Sequence, residues 1–320
     1  MRAWLLGSMG VLVLGAVALV VLATPAAPGD YAMQPVEVGP GVYAVPSAAR
    51  DLPNPENKGW NANLAFVVTG DGVLVVDTGS SETIGRALRE AVAGVTDQPV
   101  RWIVNTHAHG DHWLGNAAFE TDAAVIASTP VRARIEQEAE RWITLFDTMT
   151  EGATGASRVR LPDTLVDEHR VFDMGGTRVE LIPSGDSHSE GDLVVWLPEA
   201  RALITGDVLY SDRAPSLWDG DARQWSAFLG ELIALEPAVV IPGHGSVSDV
   251  QGLKRLQAFI DQMWEVVAEG VDQGLADFEV VPVASERLAA FRPHYAGYDE
   301  KMSRSVAAVY AQVEQSLFAD

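Results

Sequence analysis

The run Thr106-His107-Ala108-His109-Gly110-Asp111-His112 constrains this chain more than any other stretch. It places three imidazoles and a carboxylate within six residues, directly after the apolar segment Val100 to Asn105, which reads as a buried strand. A packed interior has no use for four such groups, because unpaired polar groups there cost several kcal/mol each. A metal accounts for them: neutral imidazole and carboxylate are ligands that divalent zinc, iron and manganese accept. Further polar fragments stand along the chain. Val75-Val76-Asp77-Thr78-Gly79 lies upstream; Ser187-His188-Ser189 with Gly191-Asp192, Thr205-Gly206-Asp207 and Pro242-Gly243-His244-Gly245 lie downstream.

The order and spacing of these fragments, from Pro40 to Gly252, resemble the metallo-β-lactamase superfamily. The resemblance implies a first metal held by His107, His109 and His188, and a second held by Asp111, His112 and His244. Asp207 stands where glyoxalase II-like hydrolases of that family carry a carboxylate bridging the two metals. Asp77 corresponds to a carboxylate that orients the motif loop and a ligand rather than binding metal. Asp111 and Asp77 are thus the expected catalytic carboxylates, and two zinc ions per chain the expected cofactor, with iron as the alternative. Two cations roughly 3.5–4 Å apart share a hydroxide that is nucleophilic at neutral pH, because bound water has a pKa near 7. No protein nucleophile is then required, and no Ser or Cys triad signature is present.

The expected activity is hydrolysis of an ester, thioester, lactone or lactam-type carbonyl. β-Lactamase activity proper is one alternative, although the most familiar zinc β-lactamases place a cysteine where Asp207 stands, and this chain has none. A mononuclear iron, persulfide dioxygenase-like oxidoreductase is the other. Val104 to His107 and His112 to Phe119 also resemble exported metallohydrolases associated with quinoprotein and sulfur-oxidation systems. A scaffold with a vestigial metal site is the non-enzymatic reading, and the gapless ligand set argues against it. For substrate contact the candidates are Trp113, directly after the motif, and Arg213, as anchor for a substrate anion. Trp60 and Trp218 lie in loops expected to face the cleft. His169, among charged residues, and His294 read as solvated.

Charge narrows the partners. The chain carries 44 Asp plus Glu against 22 Lys plus Arg, a formal charge of −22. Such a surface repels phosphate backbones, so a small-molecule substrate is expected and nucleic acid is not. Arg2 followed by an apolar stretch from Ala3 to Ala23 and a Pro/Gly-rich linker reads as an export signal, or as an uncleaved membrane anchor. Either places the catalytic part in the periplasm or on the outer side of the cytoplasmic membrane.

Strand-like runs at Gly41 to Val45, Leu64 to Thr69, Gly72 to Val76, Val100 to Asn105 and Ala123 to Ser128 alternate with helical stretches after Ser80/Ser81 and through Arg141 to Phe146. The second half repeats this with runs at Arg178 to Pro183, Leu193 to Leu197, Ala202 to Thr205 and Ala238 to Ile241, and a helix over Ala222 to Leu235. This pattern predicts an α/β fold, an αββα sandwich of the metallo-β-lactamase type, followed by helices at Asp249 to Gly270 and Glu300 to Leu317. The division expected is a leader and linker at 1–29, a metallo-β-lactamase domain at 36–252 and a helical C-terminal extension at 253–320.

Overall fold

The computed structural model describes residues 26–47, 52–119 and 122–318. The expected apolar leader up to Ala23 lies outside the described residues. Among the described residues no helix is long and apolar enough to cross a membrane.

The first sheet contains β1 (Val36–Gly39), β2 (Val42–Val45), β3 (Leu64–Val68), β4 (Val73–Val76), β5 (Val100–Val104), β6 (Ala124–Ala127) and β7 (Thr164–Leu165), ordered as in the sequence. β1 to β4 pair antiparallel, and β4 to β7 pair parallel. The second sheet contains β8 (Arg170–Met174), β9 (Thr177–Pro183), β10 (Leu193–Leu197), β11 (Ala202–Tyr210) and β12 (Val239–His244) in the order β12-β11-β10-β9-β8. Its β11–β12 pair is parallel and the others are antiparallel. Helices α1 (Glu82–Ala93), α2 (Gly110–Trp113) and α3 (Thr129–Met149) belong to the first half. Helices α4 (Ala222–Ala234), α5 (Val250–Asp272), α6 (Asp277–Arg287) and α7 (Tyr298–Ser316) follow β11.

The sheets face each other through an apolar layer in which Val67, Val76, Val104 and Ile126 meet Leu181, Val195, Ile204 and Ile241. α1 covers the outer face of the first sheet, with Ile84 and Leu88 against Val75 and Ile103. α4 and α5 cover the second, with Leu229 and Leu256 against Val194 and Leu203. This is the αββα sandwich, and it explains why β10 and β11 are buried throughout: both faces are covered, so alternation is lost. α6 and α7 join the same apolar cluster through Val280, Val306 and Val309.

Local signals act as the sequence predicts. The Asp71-Gly72 turn joins β3 to β4 as a hairpin with Ala65 opposite Val76. Ser81 caps α1 by accepting a hydrogen bond from the Ile84 amide. Two features depart from the prediction. The central strands extend past their apolar runs, β11 to Tyr210 and β12 to His244, which carries Asp207 and His244 on ordered backbone. β1, β7, β8 and α6 lie outside the runs read from the sequence: β1, β7 and β8 are edge strands with little burial, and α6 contains Pro282.

Candidate metal centre

Parallel strands aim their carboxyl ends at one rim of the sandwich, and the polar fragments lie at those ends, where function concentrates in such folds. Asp77 follows β4, His107 and His109 follow β5, and α2 carries Asp111 and His112. Asp207 sits within β11 and His244 closes β12 beside it, with Tyr210 opposite His244 in the register. His188 comes from the loop between β9 and β10. Gly243 permits this crowding: a Cβ there would lie 2.0 Å from Asp207 Oδ1.

The donors form two adjoining groups that could each hold a metal ion: His107, His109, His188 and Asp207 in one, Asp111, His112 and His244 in the other. In the first, His109 Nδ1 lies 3.1 Å from His107 Nε2 and 3.0 Å from His188 Nε2. In the second, Asp111 Oδ2 lies 3.8 Å from His112 Nε2 and 3.5 Å from His244 Nε2. Asp207 reaches both. Its Oδ1 is 3.2 Å from His112 Nε2, and its Oδ2 is 3.3 Å from His244 Nε2 and 3.5 Å from His188 Nε2.

The outer nitrogens are held by the protein, which fixes the rings. Thr106 donates its backbone N–H and its hydroxyl to Asp77, at 2.8 and 2.7 Å, and His107 Nδ1 lies 3.0 Å from that hydroxyl. His112 Nδ1 lies 2.7 Å from Asp77 Oδ2, His109 Nε2 lies 2.6 Å from Asp219 Oδ2, and His244 Nδ1 lies 3.0 Å from the Asn61 carbonyl. Asp219 is in turn paired with Arg134 at 2.7 Å. With the outer nitrogens of His107, His109, His112 and His244 engaged, the inner ones converge, and His112 Nε2 and Asp207 Oδ1 are buried without a hydrogen-bond partner, as is the outer Nδ1 of His188. Facing lone pairs at these separations fit a cation, because donors about 2.0–2.1 Å from one tetrahedral ion stand roughly 3.3 Å apart.

Electrostatics differ from ring to ring. Burial opposes charge on His112, but Asp207, Asp111 and Asp77 outweigh it and hold that ring well above its ordinary value, whereas two other rings go the opposite way. Burial pushes His188 down to about 3, and burial together with the neighbouring His112 holds His107 well below its ordinary value. Both are therefore neutral, the form that binds metal. Burial opposes ionisation of Asp207, yet the His244 and His112 rings outweigh it and hold the carboxyl well below the usual range. Tyr210 donates a 2.5 Å hydrogen bond to Asp207 Oδ2.

A cavity of about 100 Å³ opens beside the donors, walled by Trp142, Phe146, Trp218 and Leu52, with Arg213 and Ser216 on its polar side. Arg213 is placed in the cleft and is 5% exposed. Trp113 is not. Its ring is fully buried among Leu114, Val131 and Ile135, and its Nε1 donates to the Ala108 carbonyl at 3.0 Å. The reading of Trp113 as a substrate contact is corrected: the short α2 turns it inward, where it pins the peptide between His107 and His109. Trp60 likewise packs away from the cleft, edge-on to Tyr31, with Nε1 on the Ala62 carbonyl. His169 is solvated and pairs with Glu180 at 2.8 Å, and His294 is exposed. Asp219, Arg134, Tyr210 and Trp142 escaped the sequence reading because no local motif marks them; Asp219 is 110 positions from the ring it holds.

The sequence model of the metallo-beta-lactamase superfamily matches residues 58–244. This chain belongs to that superfamily, and it is a hydrolase of that class with a His/Asp metal site. It is 26% identical over 193 residues to the "Metallo-beta-lactamase type 2" of Bacillus sp. (strain 170), a match covering 59% of this chain and 68% of the relative. It is 24% identical over 291 residues to the "Linear primary-alkylsulfatase" of Pseudomonas sp. (strain ATCC 19151), covering 75% of this chain and 53% of the relative. The fold superposes on the stereoselective inverting sec-alkylsulfatase Pisa1 from Pseudomonas sp. with a TM-score of 0.66 at 16% identity, over 88% of this chain and 50% of that one. The chain therefore spans about half the length of both sulfatases.

Proposed function

We propose that this chain is a dinuclear zinc hydrolase of small molecules, with an ester, thioester, lactone or lactam-type carbonyl as the group attacked. The observation that carries this reading is the Asp207 carboxylate, whose two oxygens lie within 3.2–3.5 Å of donor nitrogens from both groups. His107, His109 and His188 would hold one ion, Asp111, His112 and His244 the other, and Asp207 both. When bound, such a pair supplies Lewis-acid polarisation of the substrate and acidification of water. The chain's own groups do the rest. Asp77 and Asp219 orient His112 and His109, and Tyr210 fixes the Asp207 carboxylate by donating to it. Trp142, Phe146 and Trp218 exclude water and receive an apolar group, while Arg213 receives a substrate anion.

The alkylsulfatase match across 75% of this chain favours a second reading, hydrolysis of an alkyl sulfate ester, with the sulfate at Arg213. Export of the chain, to the periplasm or the outer face of the cytoplasmic membrane, is part of the proposal and rests on Arg2 and the apolar run after it. Retention of Met1 to Ala23 on a cytoplasmic, membrane-free protein would refute that part.

One experiment separates these readings. Protein purified without chelator is analysed for metal and assayed in parallel on esters, thioesters, lactones, β-lactams and alkyl sulfates. Close to two zinc per chain with acyl turnover is the expected result. Turnover of alkyl sulfates alone selects the second reading, and one iron per chain overturns both in favour of an oxidative activity.

A further inference from the structure

The segment Ser211–Asp221, between β11 and α4, carries Arg213, Ser216 and Trp218 on the cleft and Asp219 on His109. Its ends are tied to the core, Ser211 through its amide on the His244 carbonyl and Asp219 through Arg134, and the C-terminal helices hold the stretch between and beside them. Lys301 and Arg304 stand one turn apart on α7, hence on one face. Lys301 Nζ donates to the Ala214 carbonyl at 2.6 Å and to Ser216 Oγ at 3.2 Å. The Arg304 guanidinium carbon lies 3.7 Å from the centroid of the Trp218 ring. Gln312 closes the far end, donating Nε2 to the Gly220 carbonyl and accepting from the Ala222 amide, each at 2.9 Å. Ahead of α7, Ala296 exchanges backbone hydrogen bonds with the near end, accepting from Ala214 at 2.9 Å and donating to Asp212 at 3.0 Å. The segment is also pressed onto the His188 loop: a Cβ on Gly220 would lie 1.8 Å from the Ser187 carbonyl oxygen.

We propose that α7 is a specificity element of the active site. By latching 211–221 through Lys301, Arg304 and Gln312, it sets where Trp218 stands and hence the size of apolar group the cleft accepts. A guanidinium over an indole face fixes the ring's plane as well as attracting it. Trp218 is 37% exposed and lines the cleft from a loop, so the Arg304 contact bears on its position. Lys301, Arg304 and Gln312 are positioning residues and touch no substrate. The inference rests on the reading of this cavity as the substrate site.

Arg304 is exposed, so Arg304→Ala leaves the core intact. kcat and KM are measured for substrates of one reactive group and increasing apolar length, in wild type, Arg304→Ala, Arg304→Lys, Trp218→Ala and the Arg304/Trp218 double variant. Loss of the contact should change KM for the bulkiest member by about two- to fivefold, the size of an exposed cation–π contact. kcat of Arg304→Ala on the smallest member should stay unchanged, and Arg304→Lys should restore part of the effect. In the Trp218→Ala background Arg304→Ala should add nothing, since interacting residues are non-additive. Equal KM changes across the series, or full additivity, overturn the proposal. Amide exchange gives a readout that needs no substrate: Arg304→Ala combined with Gln312→Ala should raise exchange across 211–221 by about tenfold while leaving 105–113 unchanged. Unchanged exchange at 211–221 also overturns it. If the wild type turns over none of the substrate classes, the reading of the cavity fails, and the exchange result decides the latch alone.

Discussion

Asp77 Oδ2 lies 2.7 Å from His112 Nδ1, and Asp77 holds that position with a left-handed backbone, φ +59°. A non-glycine residue there stores strain, and such strain persists where surrounding bonds over-determine it. Here Thr106 supplies those bonds through its amide and hydroxyl. One carboxylate thus couples the end of β4 to the loop after β5 and to a ring of the second donor group.

Asp77→Ala should therefore weaken metal binding without emptying the donor set. Removal of a carboxylate behind a ligating histidine typically costs about 10–100-fold in metal affinity or activity. Metal retention against a graded chelator checks this, and wild-type retention would show that Asp77 has no role in orienting His112.

Trp113 offers a test that separates support from substrate contact. Trp113→Phe keeps the buried ring but strands the Ala108 carbonyl, at a cost of about 1–3 kcal/mol. Chemical denaturation should show that loss while KM is unchanged. A raised KM with unchanged stability would return Trp113 to the cleft.

Asp207 and Gly243 should behave as one unit. Asp207→Ala should remove the group shared by both donor sets and weaken the second site more than the first. Gly243→Ala places a methyl within 2.0 Å of Asp207 Oδ1 and should reproduce the defect with Asp207 still present. Metal content and circular dichroism of the two variants check this; full metal occupancy in Gly243→Ala would contradict the crowding.

Arg213→Ala should raise KM for anionic substrates by about tenfold or more, since hydrogen bonds to charged groups are worth about 1.5–3 kcal/mol. Neutral substrates should be unaffected. Equal KM values for both classes in variant and wild type would remove Arg213 from substrate binding.

Burial, helped by Arg213 and Arg304 and partly opposed by Asp207, pushes the Lys301 amine from 10.5 down to about 7. Its folded value lies below its unfolded one, so between about pH 7 and 10.5 the unfolded chain binds more protons. Stability from this group then rises with pH across that window, by at most roughly 1.4 kcal/mol per unit. The stability of wild type relative to Lys301→Met should therefore increase from pH 7 to 9. A flat difference would show that Lys301 stays protonated.

The legible part of the site is the part built from short spacing or terse local motifs. His107, His109, Asp111 and His112 lie on one strand end and one turn, so their convergence follows from backbone geometry alone. His188, Asp207 and His244 were legible as motif fragments, but their distances to that turn depend on the sandwich closing. The sheets were legible from continuous Val/Ile/Leu runs, because strands covered on both faces must be apolar at every position. β8 was not, because an edge strand carries no such demand.

The sequence by itself determined the donor chemistry and the layered fold, since both are written in residue type and short-range period. Tertiary structure alone decided which way each neighbouring side chain turns. α2 sends Asp111 toward the donors and Trp113 into the core two residues later, and packing against α3 makes that choice. It likewise decided that Asp219 reaches His109 and that α7 grips the loop around Arg213 and Trp218. Contacts between segments this far apart have no local energetic signature; they exist only once the sheets and helices have packed.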